Sequence, residues 1–301
     1  MPDYVELEPQ FQQALWGGRK LAQLPGAPAD GPISEAWMVS DVAGKPSRIA
    51  RGPHAGQTLH DALPILGLDR FKQFPLLIKL IDARLPLSVQ VHPDDAKAKS
   101  MAGAECGKTE TWVVLDAEPG SRIYAGLRDG VRQPDFEQAI TSERLEDVLH
   151  WFEPKVGDGV FLPAGTVHAL GGGVTVFEVQ QTSDITYRLS DWGRVDPVTK
   201  MPRVLHIDEG LACINFESGA VQPKRDVPLT IQCDYFSLRV HRKPADIGGD
   251  DRCRVLVSYG GKTTGCVDVY PEAAVLLPPS EGVCRLAPQS GAWLFECVIP
   301  S

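Results

Sequence analysis

Short runs of β-type residues recur along this chain between closely spaced glycines and prolines. The 301 residues include 29 Gly and 25 Pro, and these two residue types interrupt regular helices and long strands. Helical patterns are few and local, whereas runs rich in branched aliphatic and aromatic residues are frequent. This spacing predicts a mainly all-β protein, built as a sandwich or a barrel.

One run, residues 87–93, alternates apolar and polar side chains. It predicts a strand on which Ser88, Gln90 and His92 share the polar face, with about 6.5–7 Å between alternate residues. An amide oxygen and an imidazole nitrogen on one face can both donate a lone pair to a single metal ion. Gln90 and His92 are therefore candidate metal ligands.

Two later segments supply further candidate ligands. Lys108 and Glu110 lie two residues apart in a predicted strand over 107–115, so they point to the same face. Residues 157–168 predict a short apolar strand, a Pro-x-Gly turn and then His168 at the start of the next strand. The sequence thus offers two imidazoles and two oxygen donors. This set suits Zn²⁺, with Mn²⁺, Fe²⁺ and Co²⁺ as competitors.

Composition and charge exclude several function classes. A net charge of −9 argues against general binding of nucleic acid, which needs a basic surface. No apolar run approaches the roughly 20 residues of a membrane helix, and no signal peptide is visible. Seven cysteines without a Cys-x-x-Cys pair predict mostly reduced thiols in a cytoplasmic protein. An anionic substrate would need a local cluster of basic residues, for which Lys108 and Arg188 are candidates.

The composition changes near residue 218, which predicts two domains. Residues 1–217 form the larger domain, into which a helical pair is inserted at about 134–151, with Ser142 as the cap of the second helix. A polar linker then leads into a small C-terminal β domain over 218–301. Its predicted strands are 229–240, 253–259, 265–269, 273–277, 282–286 and 293–299. Short helices are also predicted at 94–101 and 207–214.

Several segments resemble the type I mannose-6-phosphate isomerases in their short bacterial form. These segments are 16–18, 34–40, 74–94, 107–112 and 184–194. Residues 157–168 also resemble the second signature of the cupin superfamily. The resemblance runs from about residue 16 to residue 216 and implies a cupin-type jelly-roll barrel. It implies one zinc ion per chain, and the zinc ligands that it implies are Gln90, His92, Glu110 and His168.

The resemblance further implies active-site roles for Lys108, Asp184 and Arg188. The implied reaction interconverts D-mannose 6-phosphate and D-fructose 6-phosphate by moving a proton between C1 and C2 of the open-chain sugar. A cation near the sugar oxygens stabilises the enediolate, and a base carries the proton. Lys108 and Arg188 are also candidate substrate-binding residues, as is Ser88 for the phosphate. The sequence leaves the identity of the base open.

Two other functions remain open from the sequence. Two histidines and one carboxylate can serve an Fe²⁺ oxygenase of the cupin type, and the same scaffold can belong to a non-catalytic sugar-binding protein. The segments 107–112 and 184–194 argue against the oxygenase. All candidate site residues are present, so the sequence gives no sign of a scaffold that has lost its activity. The expected partner is a small sugar phosphate, with no nucleic acid and no membrane, and the expected state is a monomer or a homodimer.

Overall fold

The computed structural model describes residues 4–52, 54–196 and 199–300, and strands dominate this part of the chain. The strands are β1 (Val5–Leu7), β2 (Gln10–Gln12), β3 (Glu35–Val39), β4 (Asp41–Val42), β5 (Lys45–Pro46), β6 (Leu76–Ala83), β7 (Val89–Val91), β8 (Glu110–Ala117), β9 (Ile123–Leu127), β10 (Leu149–Phe152), β11 (Gly159–Leu162), β12 (His168–Leu170), β13 (Val174–Gln181), β14 (Tyr187–Ser190), β15 (Thr230–Gln232), β16 (Ser237–His241), β17 (Ala245–Asp250), β18 (Arg254–Tyr259), β19 (Thr263–Gly265), β20 (Ala274–Leu277), β21 (Ser280–Pro288) and β22 (Trp293–Val298). The helices are α1 (Leu59–Ala62), α2 (Asp95–Ala102), α3 (Gln133–Thr141) and α4 (Ile207–Cys213), with 3₁₀ turns at Lys20–Gln23 and Leu145–Asp147.

Three antiparallel sheets carry most of the structure. The central sheet has the order β11-β8-β13-β6-β3-β2, and the ligand sheet has the order β10-β9-β12-β7-β14. The C-terminal sheet has the order β1-β20-β18-β22-β16-β15, so the first strand of the chain pairs with strands from its end. A three-stranded sheet (β17-β21-β19) and a hairpin (β4-β5) complete the described part. The prediction of a mainly all-β fold is confirmed.

The central sheet is covered on both faces. All eight residues of β6 and all eight of β13 are buried, as expected for strands in the middle of a layered fold. Phe177 of β13 stacks on Phe295 of β22 with ring centroids 4.0 Å apart. One hydrophobic cluster therefore joins the central sheet to the C-terminal sheet. The division at residue 218 remains a prediction.

The predicted helices are partly confirmed. Helix α2 begins after Asp94, whose carboxylate accepts a hydrogen bond from the Lys97 backbone at 2.8 Å, and α3 and α4 also lie where the sequence predicts them. The second helix of the predicted pair, over 142–151, is wrong. Ser142 ends α3, and residues 149–152 form strand β10 because they pair with β9 in the ligand sheet. The helical pattern of this segment rests on only three apolar residues, so the pairing with β9 decides the local structure.

The C-terminal part differs from the prediction in three places. The strand expected over 229–240 is two strands, β15 and β16, because the chain turns between them and they pair with each other. The strand expected at 265–269 ends at Gly265, because the chain turns back and Val269 exchanges two backbone hydrogen bonds with Thr263. Strand β17 was not predicted, since it contains two consecutive glycines, Gly248 and Gly249, that weaken the strand signal.

One pair of cysteines departs from the prediction of reduced thiols. Cys266 and Cys284 form a disulfide, and the other five cysteines are free. The pairing of β19 with β21 places Gly265 opposite Leu286, which brings the two cysteine Cα atoms to 5.7 Å. That separation is typical of a disulfide. Among the described residues, no helix has the length and apolar character that a membrane span requires.

Replacing Phe295 by Ala tests the shared core. Both stacked rings are fully buried, so we expect the free energy of unfolding to fall by about 3–5 kcal/mol, measured by urea denaturation. Val156→Ala at an exposed position is the control, with an expected change within about 0.5 kcal/mol. Equal stability of the two variants would mean that the sheets do not depend on this contact.

Candidate metal centre and active site

Pairing within the ligand sheet brings three of the predicted site residues side by side. Gln90 of β7 lies opposite His168 of β12 on one side and opposite Arg188 of β14 on the other. Residues that are directly opposite in neighbouring strands project to the same face of a sheet. One amide, one imidazole and one guanidinium therefore point in the same direction from adjacent strands.

Hydrogen bonds to backbone carbonyls orient both imidazoles. The Nδ1 atom of His92 donates to the Ile185 carbonyl at 2.8 Å, and the Nδ1 atom of His168 donates to the Thr166 carbonyl at 2.9 Å. Each Nε2 atom is then left with a free lone pair. Support of this kind, through the second ring nitrogen, is typical of histidines that bind metals.

Glu110 supplies the carboxylate from the other side, at the start of β8 in the central sheet. Its Oε1 lies 3.1 Å from Nε2 of His168, and its Oε2 lies 3.6 Å from Nε2 of His92. The side chain is 0% exposed. Two distant segments of the ligand sheet and one of the central sheet thus converge on one point.

The three residues fit a divalent cation. Their candidate ligand atoms all lie within 4.8 Å of one another, and ligands of one tetrahedral zinc ion lie about 3.3–3.5 Å apart. Both oxygens of Glu110 are buried, yet neither accepts a well-directed hydrogen bond from any residue that the structure describes. Buried polar atoms normally have well-directed partners, so these oxygens can bind a cation in addition to the Lys108 ammonium, which lies 2.8 Å from Oε2.

Burial and neighbouring charges set the protonation states. Burial alone would raise the pKa of Glu110, but Lys108, His168 and His92 together hold it well below its usual value. Burial, followed by the charge of Lys108, lowers the pKa of His92 well below its usual value. An ionised carboxylate beside a neutral imidazole is the state that a metal ion needs.

Gln90 is placed to complete the ligand set. Its Nε2 lies 3.2 Å from Nε2 of His168, and its Oε1 faces the Ser88 hydroxyl at 3.5 Å. A half-turn of the amide exchanges its oxygen and nitrogen, which would present an oxygen to the same point as the two imidazoles. Gln90 thus lies next to the cluster, as the sequence predicts.

Lys108 contacts the same cluster. Its Nζ lies 2.8 Å from Oε2 of Glu110 and donates to Nε2 of His92 at 3.0 Å. The side chain is buried, which is unusual for a lysine unless it is paired. In this geometry the ammonium group provides the positive charge that the buried carboxylate requires.

A cavity of about 330 Å³ opens beside this cluster. Five of the residues predicted for the site lie in its wall: Ser88, Gln90, Lys108, Asp184 and Arg188. The other three predicted residues lie directly behind this wall. Gln90 contacts His168, and Lys108 contacts both His92 and Glu110.

Arg188 and Asp184 lie in the same wall without pairing. Among the described residues no ion pair joins them. Nη1 of Arg188 instead donates to the Val204 carbonyl at 2.8 Å, and its buried Nε has no hydrogen-bond partner among the described residues. The two side chains therefore act on the cavity separately in this geometry.

A second charged cluster in the cavity wall escaped the sequence reasoning. Lys79 of β6 lies directly opposite Glu178 of β13, with their charged atoms 3.3 Å apart, and 3.5 Å from Glu35 of β3. Trp112 donates from its ring nitrogen to Glu178 at 2.7 Å. Burial opposes the charge on Lys79, but the two carboxylates raise its pKa above the usual value. The available signal was a single lysine inside the apolar run 74–81.

Comparison with known proteins gives matches in both sequence and structure. Residues 4–111 match the model of the family described as phosphomannose isomerase type I, catalytic domain. A probable mannose-6-phosphate isomerase of Bacillus subtilis is 37% identical over 245 residues, which cover 77% of each chain. The chain also resembles the mannose-6-phosphate isomerase of Streptococcus mutans, with 34% identity over 70% of this chain and 67% of the relative.

Solved structures share the fold over nearly the whole chain. The crystal structure of mannose 6-phosphate isomerase from Bacillus subtilis superposes with a TM-score of 0.86 and 26% identity, and covers 97% of this chain and 99% of its own. A zinc-bound mannose 6-phosphate isomerase has a TM-score of 0.73 at 18% identity, and covers 99% and 100% of the two chains. The second likeness bears on the fold alone.

Replacing His168 by Ala tests the metal centre. We expect more than about 100-fold weaker metal affinity, since even changes behind the direct ligands cost about 10–100-fold. The measurement is metal content by plasma mass spectrometry after dialysis against a graded chelator. His150→Ala is the matched control, because this half-buried histidine contacts Gln222 instead of the cluster. Full metal content in the His168 variant would contradict the assignment.

Proposed function

Because the chain belongs to the mannose-6-phosphate isomerase family, we propose that it interconverts D-mannose 6-phosphate and D-fructose 6-phosphate. One observation carries this proposal: an ionised buried carboxylate and two imidazoles converge next to a cavity lined by lysine and arginine. The cavity, about 330 Å³, lies in the size range of sites that bind small molecules.

We assign the metal site to His92, Glu110, His168 and Gln90, with one zinc ion per chain. Two nitrogen and two oxygen donors suit zinc, and other divalent transition metals compete for such a set. One of these four ligands carries charge, so a bound cation keeps a net positive charge. When bound, it supplies Lewis-acid stabilisation for the negative charge that develops on the sugar oxygens.

Proton transfer between C1 and C2 needs a group that can reach both carbons. Lys108 and Asp184 both line the cavity, but Lys108 is buried next to the metal cluster, whereas Asp184 is exposed. We therefore assign the proton transfer to Lys108, which would act as the base in its neutral form once a bound cation takes over the charge compensation of Glu110. Asp184, exposed in the cavity wall, would then bond to the hydroxyl groups of the sugar.

Arg188 and Ser88 serve the substrate oxygens in this proposal. The Arg188 guanidinium reaches the cavity with one buried N–H unpaired among the described residues, and its planar fork suits an oxyanion or a phosphate. The Ser88 hydroxyl is a short, neutral donor on the same wall. Both side chains can therefore donate hydrogen bonds to substrate oxygens from the cavity wall.

Neither alternative function is favoured. The relatives named above are mannose-6-phosphate isomerases by name, which favours the isomerase over an Fe²⁺ oxygenase and over a non-catalytic sugar-binding protein. A cytoplasmic location, a monomer or homodimer, the absence of nucleic-acid binding and the division at residue 218 remain predictions. A cytoplasmic location fits the five free cysteines, while the Cys266–Cys284 disulfide is the feature that argues against it.

The proposed reaction is tested by incubating zinc-loaded protein with fructose 6-phosphate in D₂O. We expect mannose 6-phosphate to form without O₂, and deuterium to enter at C2 if the proton exchanges with solvent before its return. Turnover is followed by NMR. Consumption of fructose 6-phosphate only in the presence of O₂, with formation of an oxidised compound, would indicate the oxygenase. Saturable binding of the sugar phosphate without turnover would indicate the binding protein.

Replacing Arg188 by Ala tests its assigned role. We expect kcat/KM for mannose 6-phosphate to fall by about 100-fold, since a hydrogen bond to a charged oxygen contributes about 1.5–3 kcal/mol, while one metal ion per chain is retained. Steady-state kinetics and metal analysis are made on the same sample. Arg128→Ala is the control, since this guanidinium also donates to a backbone carbonyl, that of Leu149 at 3.1 Å, outside the cavity. Unchanged kcat/KM in the Arg188 variant would contradict the assignment.

A further inference from the structure

A second arginine shares the cavity with Arg188. Arg203 comes from the loop after β14 and lies in the wall of the cavity, next to the substrate residues. No motif reasoning singled it out. Its guanidinium is close enough to Arg188 that, after burial, its charge is the next cause that lowers the pKa of Arg188. Two like charges at one end of a cavity repel each other, and an anion between them would relieve this repulsion.

A buried carboxylate holds Arg203 in place. Asp191 has a side chain only 6% exposed, and its Oδ1 lies 3.4 Å from Nη1 of Arg203 and 2.5 Å from Nη2 of Arg194. A guanidinium has five N–H donors, and the contact with Asp191 uses one of those on Arg203. Among the described residues no other hydrogen bond engages this guanidinium. Its side chain is 41% exposed and lies in the cavity wall.

The turn that carries Asp191 also contacts the chain just before strand β7. Arg194 donates to the Pro86 carbonyl, and Trp192 donates from its ring nitrogen to the Leu87 carbonyl at 2.6 Å. Leu87 lines the same cavity, and Ser88 follows it. One turn therefore contacts both Arg203 and the segment that leads into β7, the strand of Gln90.

The backbone of this turn is strained. Trp192 has φ of 59°, a left-handed conformation that bulky residues rarely adopt. Such strain persists when the surroundings over-determine it, and it concentrates at functional sites. Here the hydrogen bond to Leu87 and the contact with the Tyr124 ring at 5.5 Å hold the indole in place.

We propose that Arg203, held by Asp191, binds the phosphate of the sugar substrate together with Arg188, so that Arg203 determines the preference for phosphorylated sugars. The inference rests on the proposed function, since it concerns the same cavity. Asp191 is a positioning residue in this account, because it acts through Arg203. The competing explanation is a structural ion pair that contributes only to stability.

The test compares zinc-loaded wild-type protein with the Arg203→Met variant. We expect the KM for mannose 6-phosphate and the Kd for inorganic phosphate to rise by about tenfold or more, as a charge-assisted hydrogen bond is lost. We expect kcat to change by less than about threefold, since the lost contact forms in ground and transition state alike. Arg203→Lys should restore part of the affinity, and Asp191→Asn should raise the KM in the same direction as Arg203→Met.

Arg225→Met is the matched control. Arg225 is 52% exposed and pairs at 2.8 Å with Asp158, which is 3% exposed. This pair lies outside the cavity, and its two side chains are exposed to similar extents as those of Arg203 and Asp191. An equal rise in KM for both methionine variants would support the structural explanation and overturn the inference. So would unchanged phosphate binding in Arg203→Met, or no phosphate binding by the wild-type protein.

Phosphate binding, measured by calorimetry, separates this inference from the proposed reaction. If the wild-type protein binds phosphate through Arg203 but does not convert fructose 6-phosphate, the anion site stands and the proposed reaction fails. If the wild-type protein converts fructose 6-phosphate and Arg203→Met leaves both constants unchanged, the reaction stands and this inference fails.

Discussion

The buried charge of Glu110 constrains everything around it. A carboxylate taken out of water costs several kcal/mol unless cations or hydrogen bonds compensate for it. At this position the compensation comes from two imidazole nitrogens and the Lys108 ammonium, within 2.8–3.6 Å of its oxygens. None of these groups is close to Glu110 in sequence except Lys108. The two sheets must therefore hold their relative position for the charge to be tolerated.

The layers of the fold supply that rigidity. The central sheet holds Glu110 on one side of the cavity, and the ligand sheet holds both histidines on the other. The C-terminal sheet packs on the central sheet through the stack of Phe177 on Phe295. A site built on paired strands that are supported from behind keeps its geometry better than one built on loops. The first strand of the chain strengthens the same arrangement by joining the C-terminal sheet.

Polar residues cross the central sheet in a single row, which explains why its strands are not purely apolar. Trp37, Lys79, Glu178 and Trp112 lie opposite one another on four neighbouring strands. Lys79 is paired with Glu178, whose other oxygen accepts from Trp112. Lys79, Glu178 and Trp112 of this row line the cavity next to the metal cluster, and the first two add both signs of charge to its wall. A paired buried lysine of this kind is retained because removal of either partner would leave the other uncompensated.

The sequence predicted the parts of this arrangement that depend on local pattern. Alternation over 87–93 placed Gln90 and His92 on one face, and a Pro-x-Gly turn placed His168 at a strand start; both agree with the structure. Parts that depend on pairing between distant strands were not predictable. Residues 142–151 carry a helical pattern, but from residue 149 onward the chain pairs with β9 as strand β10. Lys79 gains a charged partner only when β13 brings Glu178 opposite. Arg203 enters the cavity through a loop whose path no periodicity specifies.

We propose that four side chains bind one divalent cation between the two sheets. Anomalous diffraction at the zinc absorption edge, from crystals of metal-loaded protein, locates such an ion. We expect one anomalous peak per chain, about 2.0–2.2 Å from Nε2 of His92, Nε2 of His168 and a Glu110 oxygen, with the Gln90 amide oxygen completing the set. A peak bound by other residues, or no peak here in protein that mass spectrometry shows to contain zinc, would contradict the proposal.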